Sequence, residues 1–373
     1  MIFSENRLPL FRIMPAWPAN ESAWDRRLAR EANGFGTVRL VLACMVLLEH
    51  SFFLIDNSSA RDPISIFSHA QTNSGHVAVL LFFAISGFLV TRSLVRSQTT
   101  LDYMIKRVAR IVPAFLVATA FGLFMVGPLT AADPARYFGE QDWRQIVANA
   151  LSLRQVDVQD ALIGNPIPMV HGTLWSIQYE FDCYIVLALM GLLGLVKGIW
   201  TLVFAILLIC IARFVTLPSI DHGLPAFLIS SPDRWPELFP FFFLGSAVYL
   251  LRAYVPLSWG FFAVCVVGLV VCCRLGGAYW ALLFGGTYAL LFIALSSTLE
   301  IKPFGQPVDL SYGIYLFGWP IQQLILYWGG ESIGAAFLFA AAIPVSLVVA
   351  WLSWNFIEAP CLRLARRPRL AFS

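Results

Sequence analysis

"VRLVLACMVLLEH", Val38 to His50, decides the fold: an apolar run with Arg39 near its start and Glu49-His50 at its end. Ionisable groups inside a stretch this apolar are costly in lipid and are functional suspects by default. The rest of the chain has the same character. Its 373 residues are 59% hydrophobic and 13% charged, with a mean hydropathy of +0.75. That composition excludes an ordinary soluble protein and predicts an all-α, polytopic membrane protein. No linker, charge block or low-complexity tract divides it.

A spanning helix needs about 20 mostly apolar residues. Ten such windows occur, at 36–55, 76–95, 109–128, 174–195, 198–216, 237–252, 257–274, 276–297, 310–328 and 334–356. No period-2 alternation suggests a barrel, and residues 1–34 lack the continuous apolar core of a signal peptide. Lys and Arg concentrate on one side of this arrangement, at residues 7–30, 92–110, 197, 252, 302 and 363–369. By the positive-inside rule that side is cytoplasmic and holds both termini. The expected domains are a cytoplasmic segment 1–35, a transmembrane domain 36–358 and a short basic cytoplasmic tail 359–373. The net charge of +3 then reports topology and does not argue for nucleic acid. Seven cysteines without metal-ligand spacing read as small buried hydrophobes, and no metal is expected.

Arg39 and His50 are eleven residues apart, about three helical turns and about 16 Å along one face. Glu49 is turned about 100° from His50, as its partner or as an independent carboxylate. A second constellation, "HGTLWSIQYEFDCY" (His171 to Tyr184), carries Glu180 and Asp182 into the fourth helix. In "YMIKRVARIVPAFLVA" (Tyr103 to Ala118), Arg107 and Arg110 share a face, and guanidinium forks suit phosphate oxygens. In "FFAISGFLVTRS" (Phe82 to Ser93), Ser86 and Gly87 read first as small residues for close helix approach.

Arginine, ten residues, then histidine, followed in order by "FFAISGFLVTRS", "KRVARIVPA", "LWSIQYEF", "LSYGIYLFGWPI" and "SWNFIEAPCLRL", resembles acyltransferase family 3, over about residues 35–365. The resemblance implies a ten-helix membrane enzyme moving an acyl group, usually acetyl, from cytoplasmic acyl-CoA to a hydroxyl of an extracytoplasmic or lipid-linked carbohydrate. By motif it implies that Arg39 and His50 are the pair required for activity. Arg107 and Arg110 match the pair associated with the CoA phosphates. Trp175, Ser176 and Glu180 match the start of the fourth helix, Ser311, Tyr312 and Tyr315 the "SYxxYL" segment, and Phe356, Glu358 and Pro360 the closing signature. The chain departs from the pattern at Gly318, where many members have histidine, and at 78–81, where Ala-Val-Leu-Leu replaces a more polar opening of the second helix. No fused transfer domain is expected after the tenth helix, and a separate glycan-assembly protein is a conceivable partner.

Such a transfer needs a base for the hydroxyl proton, and His50 is the natural one, partnered by Glu49 or Glu180. A covalent acyl-enzyme through Cys183 or Ser176 stays open. Other supporting candidates are Ser86, Trp175, Tyr312, Tyr315 and His171, with His76 beside the acceptor side. Acceptor choice is expected in the outer segments 130–168 and 229–245, where aromatics mix with carboxylates. The alternative is a transporter or flippase using the same buried Arg, His and Glu groups.

Overall fold

The computed structural model describes residues 22–29, 34–214, 229–296, 308–330 and 332–365. Among them regular structure is helical throughout and contains no strand. Each of the ten apolar windows holds a helix: α1 Phe35–Asp56, α2 Ser74–Arg96, α3 Thr100–Phe121, α4 Trp175–Leu192, α5 Gly198–Phe214, α6 Trp235–Leu251, α7 Trp259–Leu275, α8 Ala278–Ser296, α9 Ser311–Gly329 and α10 Ala335–Ser353. By length and composition, five helical segments among the described residues can cross a membrane: Phe35–Asp56, Ser74–Arg96, Thr100–Thr130, Ala278–Ser296 and Ala335–Ala365. The protein is a multi-pass membrane protein. Its outer surface agrees, because Val264, Val267, Phe337 and Val348 are exposed apolar side chains on α7 and α10, a facing that lipid tolerates and water does not. The expected helix ends at 215–216 and 297, and the basic residues at 7, 12, 302, 366, 367 and 369, lie outside the described residues.

Polar capping explains where helices start. Asn73 accepts a hydrogen bond from the His76 amide at the head of α2, and Thr99 accepts one from the Asp102 amide at the head of α3. Helix α3 therefore begins nine residues before the apolar window at 109. Hydropathy alone overlooks its first two turns because Asp102, Lys106 and Arg107 populate them. At its other end α3 widens into a π-turn, Gly122–Val126. Another π-turn, Trp354–Glu358, carries α10 across the expected boundary at 358 and on to Ala365.

The N-terminal segment is docked in its described part. Trp24 and Leu28 of the short helix Ala23–Leu28 are buried. The Trp24 indole donates to Val255 O at 2.9 Å, and Arg252 meets Asp25 at 2.7 Å.

The bundle centre is an unusually close crossing of α2 and α6. A Cβ added at Gly87 would lie 1.8 Å from Phe242 O, and one at Gly245 2.0 Å from Ala84 O. Two glycines thus let two backbones meet, as small residues do between helices in lipid. Helices α1, α9 and α10 form a second packed group. Here α1 and α9 run parallel: Arg39 meets Asp309 just ahead of α9, Leu47 packs under Gly318, and His50 lies against Trp319.

Candidate active site

A cavity of about 110 Å³ opens between α1, α2, α3, α4 and α9. Its lining brings together Arg39, Ser86, Arg107, Arg110, Ser176, Glu180, Ser311, Tyr312 and Tyr315, nine of the expected site residues from five separated motifs. Glu180 is the polar centre of one wall. Its Oε1 accepts from Ser86 Oγ at 2.6 Å and from the Tyr184 hydroxyl at 2.5 Å. Ser86 therefore points at a carboxylate, while its neighbour Gly87 does the packing. The expectation that both residues serve helix approach is corrected for Ser86: successive helical positions face about 100° apart.

The opposite wall is an ion-pair network. Asp309 Oδ2 accepts from Arg39 Nη1 at 2.6 Å and from Arg110 Nη2 at 2.6 Å. Arg110 Nη1 reaches Glu358 at 3.0 Å, and Glu358 is placed by the π-turn of α10. Ser311 donates its hydroxyl to the second oxygen of Asp309 at 2.6 Å. Burial opposes ionisation of Asp309, but Arg39 and Arg110 outweigh it and hold the carboxyl well below the usual carboxylate range. Two arginines and two carboxylates thus face one another along this wall. Arg110, expected beside Arg107 at the phosphates, has its guanidinium engaged by Asp309 and Glu358. Arg107 differs. It donates to Ser93 Oγ at 3.2 Å, lies 5.8 Å from the Tyr184 ring centroid, and has no carboxylate partner among the described residues.

His50 does not line this cavity. Tyr315 closes the end toward it, with its hydroxyl 2.6 Å from Ser176 Oγ and donating to Thr173 O at 2.9 Å. Phe82 packs edge-on against Tyr315. Trp319, one turn beyond Tyr315 on α9, meets the His50 ring edge-on at 4.8 Å. The shared stripe of Arg39 and His50 thus places one residue on the cavity wall and the other about a turn past its closed end. Glu49 is the carboxylate beside His50, with Oε2 3.7 Å from Nε2. It is buried and accepts a hydrogen bond from Ser59. Of the two proposed partners, Glu49 is next to His50 and Glu180 is held by Ser86 and Tyr184. His50 Nδ1 is buried and without a hydrogen-bond partner among the described residues.

Two supporting candidates fall elsewhere. Trp175 turns away from the cavity and stacks with Arg234, whose Cζ is 4.7 Å from the ring. His171 is buried against the α3 π-turn, where a Cβ at Gly122 would strike its Nε2. Among the described residues neither conceivable nucleophile is hydrogen-bonded to an imidazole: Ser176 pairs with Tyr315, and Cys183 is fully buried. On the segments expected to choose the acceptor, His76 pairs with Glu237 at 2.7 Å. A further cavity of about 420 Å³ is lined by Asp133, Arg136, Glu140, Gln159 and Asp160, near the stacked rings of Phe124, Phe138 and Trp143.

Sequence reading missed Asp309 and Tyr184. Tyr184 has a local signal, four residues after Glu180 on one helical face. Asp309 has only its place two residues before Ser311.

Comparison with known proteins agrees with this geometry. No solved structure matches the chain. An O-acetyl transferase of Shigella phage Sf6 is 27% identical over 88% of this chain and 95% of its own length. Nodulation protein 10 of Rhizobium leguminosarum bv. viciae is 24% identical over 93% and 96% respectively. A Bacillus subtilis protein provisionally described as a peptidoglycan O-acetyltransferase is 23% identical over 77% of this chain and 50% of its own. The profile of the Acyltransferase domain family matches residues 33–355, a span holding every cavity-lining residue of the site, and the chain belongs to that family, acyltransferase family 3.

Proposed function

We propose that the protein is a membrane O-acyltransferase that moves an acyl group, acetyl in the simplest case, from cytoplasmic acyl-CoA to a hydroxyl of an extracytoplasmic or lipid-linked carbohydrate. Family membership and the O-acetyl transferase relative support the reaction class. The observation that carries the site assignment is the cavity holding Arg39, Arg107, Ser86 and Glu180, which ends a helical turn short of His50. In this reading all ten helices cross a bacterial inner membrane, both termini are cytoplasmic, and residues 36–358 form the catalytic domain between a cytoplasmic segment 1–35 and the tail 359–373.

His50 takes the proton of the acceptor hydroxyl as its oxygen attacks the thioester carbonyl. The tetrahedral adduct then collapses, the carbon–sulfur bond breaks, and the departing thiolate receives the proton from the imidazolium, giving ester and free CoA thiol. Glu49 orients the imidazole and favours its transient positive charge. Arg39, fixed by Asp309, and Arg107 present positive charge to the donor. Glu180 positions the Ser86 and Tyr184 hydroxyls along the acyl path. Direct transfer is favoured because, among the described residues, Ser176 is paired with Tyr315 and Cys183 is fully buried. The outer cavity with its carboxylates and stacked aromatics offers hydroxyl and ring contacts to a sugar acceptor.

The test is thiol release from acetyl-CoA by membranes carrying the native chain or His50→Ala at equal levels, with host glycan added. Native membranes release CoA thiol and His50→Ala membranes do not. Full activity in His50→Ala overturns the base assignment, and no consumption by the native chain overturns the donor.

A further inference from the structure

After α3 the chain folds back along the flank of that helix. The Tyr137 hydroxyl donates to Leu123 O at 2.8 Å, within the π-turn, and a Cβ at Gly127 would lie 2.0 Å from the same hydroxyl oxygen. The short helix Trp143–Leu151 follows. Its Trp143 ring stacks with Phe124 of the π-turn, the centroids 6.3 Å apart. Phe138 stacks with both, 6.1 Å from Phe124 and 6.4 Å from Trp143. All three rings are exposed. Phe124 precedes the end of the membrane-crossing segment Thr100–Thr130 by about 9 Å of helix. The aromatic cluster therefore lies inside the end of that segment, at a level a loop standing out in water would not reach.

The helix Trp143–Leu151 presents three faces. Ile146 is buried in one cluster with Leu123, Tyr137 and Val156. Trp143, Val147 and Leu151 recur every four residues and form an exposed apolar stripe, about 80° wide. Arg144 and Gln145 are exposed farther round the helix. A helix lying between protein and water needs only a buried face and a polar one. The third, apolar face runs through Trp143 to Phe124 and exposed Leu129 on the crossing segment itself. Apolar, polar and aromatic groups divided in this way are the mark of a helix lying in the plane of a membrane interface.

We propose that this face docks onto the lipid bilayer, with Trp143, Val147 and Leu151 entering the boundary between headgroups and acyl chains beside α3. Phospholipid is the occupant because the stripe is continuous with the exposed surface of a crossing segment. Docking fixes the cavity lined by Asp133, Arg136 and Glu140, carried on the same stretch of chain, at the membrane surface. The inference stands apart from the acyl-transfer reading, and its test measures no turnover.

Full-length protein is reconstituted in phosphatidylcholine and phosphatidylglycerol vesicles with a nitroxide at Val147→Cys on the stripe or at Gln145→Cys on the polar side. The native chain, labelled in parallel, gives the signal of its own cysteines for subtraction. Power-saturation EPR compares collisions with oxygen, which concentrates among acyl chains, and with a water-soluble nickel chelate present on both sides of the bilayer. The oxygen-to-nickel ratio at Val147 should exceed that at Gln145 and lie below that of a Val264→Cys reference on the outer surface of α7. Equal ratios at Val147 and Gln145 overturn the proposal. So does a Val147 label screened from both reagents, because protein then covers the stripe. If Val147→Cys fails to fold, Leu151→Cys on the same stripe is read in its place.

Discussion

Asp309→Asn tests the electrostatic wall of the site. Asp309 accepts from two guanidinium groups, each at 2.6 Å. Removing its charge leaves Arg39 without its carboxylate and Arg110 with Glu358 alone. Breaking a fully buried pair from one side costs about 3–5 kcal/mol. The Asp309 and Arg39 side chains retain 20% and 23% exposure, and Asn still accepts one hydrogen bond. The expected loss is therefore about 2 kcal/mol, roughly thirtyfold in the folded-to-unfolded ratio. The assay is reversible SDS-titration unfolding in mixed micelles, followed by tryptophan fluorescence, for Asp309→Asn, Arg39→Gln and the double variant. The double variant should recover about 1–2 kcal/mol relative to the sum, because it removes the stranded cation. Costs that add to within about 0.5 kcal/mol would refute the pairing. The sign with pH is fixed as well. A carboxyl depressed in the folded state stabilises above its unfolded value of about 3.9 and loses that stabilisation only as pH falls below it. The Asp309→Asn penalty should accordingly be constant between about pH 5 and pH 8.

Other substitutions probe the helix contacts. Gly87→Ala drives a Cβ to 1.8 Å from the Phe242 carbonyl, so α2 and α6 must separate at a cost of about 3 kcal/mol. Gly268→Ala on α7, with nothing within 4 Å of its new Cβ, should be neutral or stabilise by up to about 1 kcal/mol; the same unfolding titration compares them, and equal effects would contradict the close crossing. Gly318→His supplies the histidine that the family pattern leads one to expect there, but the first added atom would lie 2.7 Å from Leu47 Cδ1. It should destabilise by about 1–3 kcal/mol without raising acetyl-CoA turnover, whereas a gain in turnover would show that the position is open to a second histidine.

What the sequence makes legible follows the range of the physics involved. Apolar windows locate ten helices because lipid solvation acts along contiguous chain. They misplace the start of α3 because its Thr99 cap and charged first turns contribute backbone hydrogen bonds and no hydropathy. Arg39 and Glu180 stand out because a charge in an apolar run is conspicuous, and both line the cavity. Ser86 is ambiguous next to Gly87, since smallness serves packing and a hydroxyl serves a carboxylate; only the 2.6 Å contact to Glu180 separates the two. Arg110 looks like a phosphate ligand because its spacing from Arg107 shows a shared face, while its carboxylates arrive from Asp309 and Glu358, 199 and 248 residues away. His171 and Trp175 belong to the right motif, but the backbone turns them toward Gly122 and Arg234.

Proton NMR of ester-linked acyl groups on purified surface glycans addresses the central claim most directly, in cells expressing the native chain or His50→Ala at equal membrane levels. O-acyl transfer with His50 as base predicts acyl ester signals, acetyl foremost, with the native chain and none above background with His50→Ala. Identical spectra from the two would contradict it.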